Sequence, residues 1–306
     1  MTESPWGPLP VADAHVHFFS RRFFELLGEQ KAGLTVAAME RTLGWRIPPE
    51  PPESLAHAWA EELDRHGVSR AVLIASVPGD EPSVAAAVAA HPARFLGYAT
   101  VNPLAKNAIT RLQGTLDGDR FRGICLFPAM HRFSMHDDAA HAVLDVVAAT
   151  RPATVVFVHC GALTVGIRQK LGLPSLFDMR YSNPIDLHEA ALSYPQIRFV
   201  VPHFGAGYFR EALMLASLCP NVFLDTSSSN RWMAYEPAGI ELREVFRRTL
   251  DVVGPKRLLF GSDSSFFPRG WVADVFREQA KVVYELGRSE EEARLIFGEN
   301  LVHLSG

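Results

Sequence analysis

The chain has 306 residues, 48% of them hydrophobic and 21% charged, with a formal net charge of −4. That supplies enough apolar surface for a sizeable globular core. The near-neutral balance excludes a polyanion-binding face, so nucleic acid is not an expected partner. No run of about 18 apolar residues occurs, which excludes a transmembrane helix and a membrane partner. The opening MTESPWGPLP has no basic stretch followed by an apolar one, so no secretory signal is expected. Cys125, Cys160 and Cys219 are too few and too scattered for a disulfide framework, and a cytoplasmic location is expected.

Taken in order, the predicted strands are VADAHVHF (11–18), SRAVLIAS (69–76), RFLGYATV (94–101), FRGICLFP (121–128), ATVVFVHC (153–160), IRFVVPHF (197–204), NVFLDTSS (221–228) and KRLLFGSD (256–263). Amphipathic stretches separate them, among them 53–67, 136–150 and 207–218. In the first, Leu55, Trp59 and Leu63 repeat every four residues, a helical stripe. Ser289 with Glu292 three residues on reads as a capping box. Helices alternating with near-continuous apolar strands predict parallel strands covered on their outer faces.

Eight such units predict an α/β fold, a single-domain (β/α)8 TIM barrel with its core at about 11–304. A doubly wound open sheet is the alternative, but no G-x-G-x-x-G follows the first strand. Two long insertions, 21–52 after strand one and 161–183 after strand five, are expected to be lids or specificity elements.

The active site of such a barrel collects at the carboxyl ends of its strands. Strand one ends at His15 and His17, strand five at His159, strand six at His203 and strand eight at Asp263. Four of the twelve histidines therefore fall at one end of three strands. Alternate residues of a strand share a face, so His15 and His17 can both aim into the mouth. Imidazole and carboxylate donors suit zinc, manganese, iron or cobalt. His57, His66, His91, His136, His141 and His188 lie on helical patterns and read as solvated or packing residues. His131, in the loop after strand four, reads first as a packing or solvated residue, with approach to a substrate as the alternative.

D-A-H-V-H on strand one, V-H-C-G on strand five, P-H-F-G-A-G on strand six and F-G-S-D on strand eight resemble the amidohydrolase superfamily. The closer similarity is to its amidohydrolase-2 branch, which includes aminocarboxymuconate-semialdehyde decarboxylase and related hydrolases and lyases. The terminal IFGENLVHL resembles that branch's closing helix. The resemblance implies that His15, His17, His159 and Asp263 hold one divalent metal ion, zinc before manganese, iron or cobalt. It implies that Asp263 also accepts a proton from the activated water, and that His203 orients that water or the substrate. It gives Asp13 no ligand role. Binuclear members carry a carboxylated lysine on strand four, where this chain has Cys125 and no lysine, so a single metal is expected. Cys125 is expected to be a buried structural thiol, with a ligand role as the alternative. A homodimer is the assembly the resemblance suggests.

Two reactions fit this set. One is hydrolysis of a small carboxylated ester, lactone or amide through a metal-activated water. The other is non-oxidative decarboxylation of an aromatic or unsaturated carboxylic acid. A forked guanidinium suits a substrate carboxylate, and Arg231 in SSSNRWM and Arg269 in FFPRGW are placed to serve, with Arg168 and Arg180 in the strand-five insertion as further candidates. A catalytically inactive barrel acting as a binding module would show a broken ligand position, and none is broken.

Overall fold

The eight predicted strands form one parallel sheet whose order follows the chain: β1 (Val11–His17), β2 (Val68–Ala75), β3 (Phe95–Val101), β4 (Phe121–Leu126), β5 (Val155–Val158), β6 (Arg198–Val201), β7 (Val222–Asp225) and β8 (Leu258–Leu259). The structure is a computed structural model and describes residues 1–150, 154–227, 230–236 and 239–305. The predicted strand-edge residues Ala153 and Ser228 lie outside the described residues. Strand β8 is short, and the segment after it closes the barrel against β1. Ala14 N donates to Phe260 O at 2.8 Å, Asp263 N to His15 O at 3.0 Å and His17 N to Ser264 O at 2.8 Å. A (β/α)8 barrel in a single domain is the architecture.

Strand alternation sorts the apolar residues into two layers. Val72, Ile74, Leu96, Tyr98, Cys125, Phe157, Val200 and Leu259 fill the interior. Their neighbours Leu73, Ala99, Ile124, Val156, Phe199 and Leu224 face outward against the helices. The Leu55, Trp59 and Leu63 stripe lies on the helix Pro52–Arg65 and is buried in that outer layer. The capping box of Ser289 and Glu292 is formed at the helix Glu290–Arg294. At the chain end, Asn300 donates from Nδ2 to Pro255 O at 2.7 Å and to Leu258 O at 2.8 Å, which pins the last helix beneath β8. Among the described residues, no helix is long and apolar enough to cross a membrane.

The two insertions carry structure of their own. Ser20 and Thr35 accept from backbone N–H groups to cap helices Arg21–Gly28 and Val36–Leu43. Phe23, Phe24, Leu27, Met39 and Leu43 of the first insertion pack with Ile167, Leu171 and Leu173 of the second. Trp45 stacks on Phe266 with centroids 3.8 Å apart, and Arg46 N donates to Phe267 O at 3.0 Å. Loops from strands one, five and eight are thereby joined beside the mouth.

Strand β1 departs from simple alternation. Its register against β2 shifts between Asp13 and Val16. Ala12 and Ala14 pack in the interior and Val16 in the outer layer. The irregularity lets His15 as well as Ala14 face inward. Asp13 therefore does not share a face with His15, as strict alternation would require. It points instead to the seam between β1 and the segment after β8.

Candidate functional site

His15, His17 and Asp263 each offer a ligand atom, and these atoms lie within 4.8 Å of one another. His15 Nε2 is 3.8 Å and His17 Nε2 3.3 Å from Asp263 Oδ1. The other ring nitrogen of each histidine is held. His15 Nδ1 lies 2.8 Å from Asp225 Oδ2, and a carboxylate can only accept there. His17 Nδ1 lies 2.8 Å from Ser76 Oγ, whose hydroxyl donates to Ile74 O at 3.2 Å and so accepts from the ring. Both rings thus carry their proton on Nδ1 when neutral, and both Nε2 lone pairs face Asp263.

His203 and His159 complete the row of imidazoles. The rings of His15 and His203 stand 5.2 Å apart, and those of His203 and His159 5.3 Å apart. His203 Nδ1 is 3.2 Å from Ser227 O and 2.9 Å from Ser227 Oγ. A carbonyl cannot donate, so this contact also places the proton on Nδ1 and leaves Nε2 free. His159 stacks on Phe127 at 5.6 Å, and its Nδ1 is buried without a partner. It lies outside the group of mutually close ligand atoms.

Electrostatics follow from this crowding. Burial favours the neutral form of His15, but the charge and hydrogen bond of Asp225, with Asp263 and Asp13 behind, raise it to about 8. Burial lowers His17, opposed in part by Asp263. Burial, then the neighbouring His203 and His15, holds His159 well below the usual range. Burial also works against the charge of Asp263, yet the close contact with His17 and the nearby His15 and His203 keep it below the ordinary carboxylate range.

The backbone beneath is tightly fixed. Asp13 Oδ1 accepts from His15 N at 2.9 Å and Ser262 N at 3.0 Å, and Oδ2 from Trp271 Nε1 at 2.7 Å. One buried carboxylate therefore staples β1 to the segment that ends at Asp263. A Cβ added at Gly261 would come 2.8 Å from His15 Cβ and 3.0 Å from Asp225 Oδ1, so only glycine lets the strands approach here. His203, Phe204 and Asp263 have φ of 54°, 53° and 57°. Left-handed backbone at non-glycine residues is uncommon, and for Phe204 it is an outlier of the kind found at functional sites.

The arginines divide. Arg269 donates from Nη2 to Asp263 O at 3.0 Å and to Ser265 Oγ at 3.1 Å, which keeps its guanidinium beside the cluster. Arg231, on the 3-10 turn Asn230–Tyr235, is exposed. Arg168 is taken up by Pro174 O and Gln30 Oε1, and Arg180 by the carboxylate of Asp178. Arg168 thereby ties the two insertions together, and Arg180 makes a local, exposed pair. Cys125 is fully buried, and burial pushes its thiol well above its ordinary range. It is not among the mutually close ligand atoms.

Asp225 is the residue that sequence reasoning passed over. Its signal was present, because NVFLDTSS puts a carboxylate at the end of strand seven as F-G-S-D does after strand eight. Ser76 and Ser227, small polar residues just past strand ends, gave no comparable signal.

A family model described as Amidohydrolase, that of the amidohydrolase-2 family, matches residues 12–300. Protein fluG of Emericella nidulans is 33% identical over 105 residues, which span 34% of this chain and 12% of that protein. The fold is shared with a probable 2-pyrone-4,6-dicarboxylic acid hydrolase of Acinetobacter baumannii, solved with citric acid bound. That likeness has a TM-score of 0.60 at 14% identity, covering 97% of this chain and 100% of the other. It is shared too with a 5-carboxyvanillate decarboxylase of Novosphingobium aromaticivorans, solved with manganese and a substituted nitrobenzoic acid. There the TM-score is 0.60 at 15% identity, covering 98% of this chain and 97% of the other. With its match running from the first strand to the closing helix, the chain belongs to the amidohydrolase-2 family.

Proposed function

We propose that this amidohydrolase is a mononuclear metal-dependent hydrolase acting on a small carboxylated ester, lactone or amide. The observation that carries the reading is the pair of fixed ring orientations: Asp225 and Ser76 engage the two Nδ1 atoms, so both Nε2 atoms converge on Asp263 and offer lone pairs once the rings are neutral. Imidazole lone pairs beside a low-pKa carboxylate form a donor set suited to a divalent cation, zinc first and manganese, iron or cobalt after it. The unpartnered, buried Nδ1 of His159 fits the same need. His15, His17, His159 and Asp263 would hold the ion.

Such an ion, when bound, supplies Lewis acidity and makes a neighbouring water acidic near neutral pH. The chain's own residues do the rest. Asp263 is a charged carboxylate under ordinary conditions, able to take a proton at its free oxygen and hand it to a leaving group. His203, with Nδ1 engaged by Ser227, presents Nε2 to orient a water or a carbonyl oxygen. Arg269 would take the substrate carboxylate through the donors it does not spend on Asp263 O and Ser265 Oγ, with Arg231 reaching from the rim.

Decarboxylation of an aromatic or unsaturated acid is the second reading. What favours it is the aromatic lining: Phe157 meets His15 edge-on at 5.1 Å, and Phe127 stacks on His159. One panel separates the two. Carboxylated lactones and esters are run against aromatic and muconate-type acids, following acid release and carbon dioxide together. Acid release without carbon dioxide is the expected result; carbon dioxide from the acids, with inert lactones, would replace hydrolysis by the second reading.

A further inference from the structure

The inward row of β3 ends in a polar residue that the site described so far does not use. Leu96 and Tyr98 face the barrel interior and Phe95, Ala99 and Val101 face outward, so Thr100 continues the inward row at the mouth. Its register partner on β4 is Cys125, and Ser76, the partner of His17 Nδ1, follows the residue paired with Ala99. Thr100 is only 2% exposed, and its Oγ1 is buried without a hydrogen-bond partner.

A second such group follows just past the next strand. The short helix Pro128–His131 leaves the end of β4 directly after Phe127, the ring that stacks on His159. His131 Nδ1 is buried and has no partner, and burial lowers the ring to about 4, so it stays neutral. A buried hydroxyl or imidazole nitrogen left unpaired costs free energy.

We propose that Thr100 and His131 are substrate-contacting residues that receive an oxygen acceptor, a carboxylate or carbonyl, on the β3–β4 side of the mouth. Both are uncharged donors, so they recognise the oxygen by hydrogen bonds rather than by an ion pair. They add a second anchor point to the one expected at Arg269. The inference rests on the proposed function only in taking the barrel mouth as the substrate site. For His131 it takes up the alternative that the sequence reading left open, approach to a substrate.

The test uses the whole 306-residue chain reconstituted with zinc, and benzoate as the probe. Benzoate is titrated by calorimetry into wild type, Thr100→Val and His131→Leu, and the three are melted without probe. The expected result is benzoate binding weakened about tenfold in each variant, the loss of one hydrogen bond to a charged acceptor. Thr100→Val should melt at or above the wild-type temperature, because its hydroxyl has no partner in the fold. Benzoate affinity that neither variant changes, a wild type that does not bind benzoate, or a lowered melting temperature in Thr100→Val would each overturn the proposal. Zinc content of the same samples keeps two failures apart. Variant-insensitive benzoate binding in a zinc-loaded protein removes this inference alone. Variant-sensitive binding in a protein that takes up no zinc removes the metallohydrolase reading alone.

Discussion

The two sides of the barrel mouth are built differently. On the side of β1, β7 and β8, Asp13, His15, His17, Asp225, Ser227, Ser262 and Ser264 each have a hydrogen-bond partner. On the side of β2 to β5, Asp80 Oδ2, Thr100 Oγ1, His131 Nδ1 and His159 Nδ1 are buried without one, whereas on the first side such atoms, Arg21 Nε and Trp232 Nε1, belong to the flanking turns and not to the ligand network. A saturated polar network fixes positions; an unsaturated one keeps a cost that only a guest removes. The first side therefore holds donor atoms in place, and the second has the chemistry to receive what arrives. Removing a partner should damage the first side, and on the second, removing a lone polar group should spare stability.

The largest effect is expected at Asp263. Asp263→Asn should lower turnover by about 10²- to 10⁴-fold, the usual range for a lost general acid–base group, with the melting temperature retained. A steady-state assay with a melt checks it, and normal turnover would remove Asp263 from the mechanism.

Asp80, on the unsaturated side, gives the next effect. Burial raises its carboxyl from 3.8 to about 6, opposed only in part by Ser20 and Ser83. An acid raised by folding binds more protons folded than unfolded between those two values. Its contribution to stability is therefore most favourable at low pH and falls as pH rises from about 4 through 6. The loss is about 3 kcal/mol at about 1.4 kcal/mol per pH unit. Asp80→Asn should abolish this slope, so its stability relative to wild type should improve by about that amount between pH 4 and pH 7 in urea titrations. Parallel pH profiles for the two proteins would show that Asp80 is not held protonated.

Asp225→Asn frees His15 Nδ1 from a carboxylate. It should weaken zinc binding by about 10- to 100-fold, as loss of a partner behind a coordinating histidine does. Competition against a chromogenic chelator reads this directly, and unchanged affinity would mean that the His15 tautomer needs no such support. The smallest effect is expected at the rim. Arg231→Ala should leave stability within about 0.5 kcal/mol, as exposed positions usually do, while Arg269→Ala raises KM more than Arg231→Ala. Equal KM values for the two variants would make the contact of Arg269 with Asp263 O irrelevant to substrate.

The sequence carried the barrel because strand alternation and apolar runs are local properties, legible in windows such as SRAVLIAS and ATVVFVHC. It carried the imidazole row because each histidine sits at a strand end. What it could not carry depended on pairing between distant segments. The irregularity in β1 that parts Asp13 from His15 is a matter of register with β2. The tethers from Asp225 and Ser76 depend on which strand ends meet across the mouth. The helices inside the insertions gave no periodic stripe, although Ser20 and Thr35 are ordinary caps, because the helices they begin are short. Thr100 looked like any strand threonine, and only its burial and missing partner set it apart.

The central claim is that the mouth holds one divalent ion, with His15, His17 and Asp263 of the saturated side as its close-set ligands and His159 reaching it from the other side. Elemental analysis of the protein, as purified and after reconstitution with zinc, tests it most directly, with His15→Ala/His17→Ala as the comparison. The account predicts about one equivalent in wild type and little in the double variant. Far less than one equivalent in wild type with no recovery on adding zinc or manganese, or undiminished metal in the double variant, would contradict it.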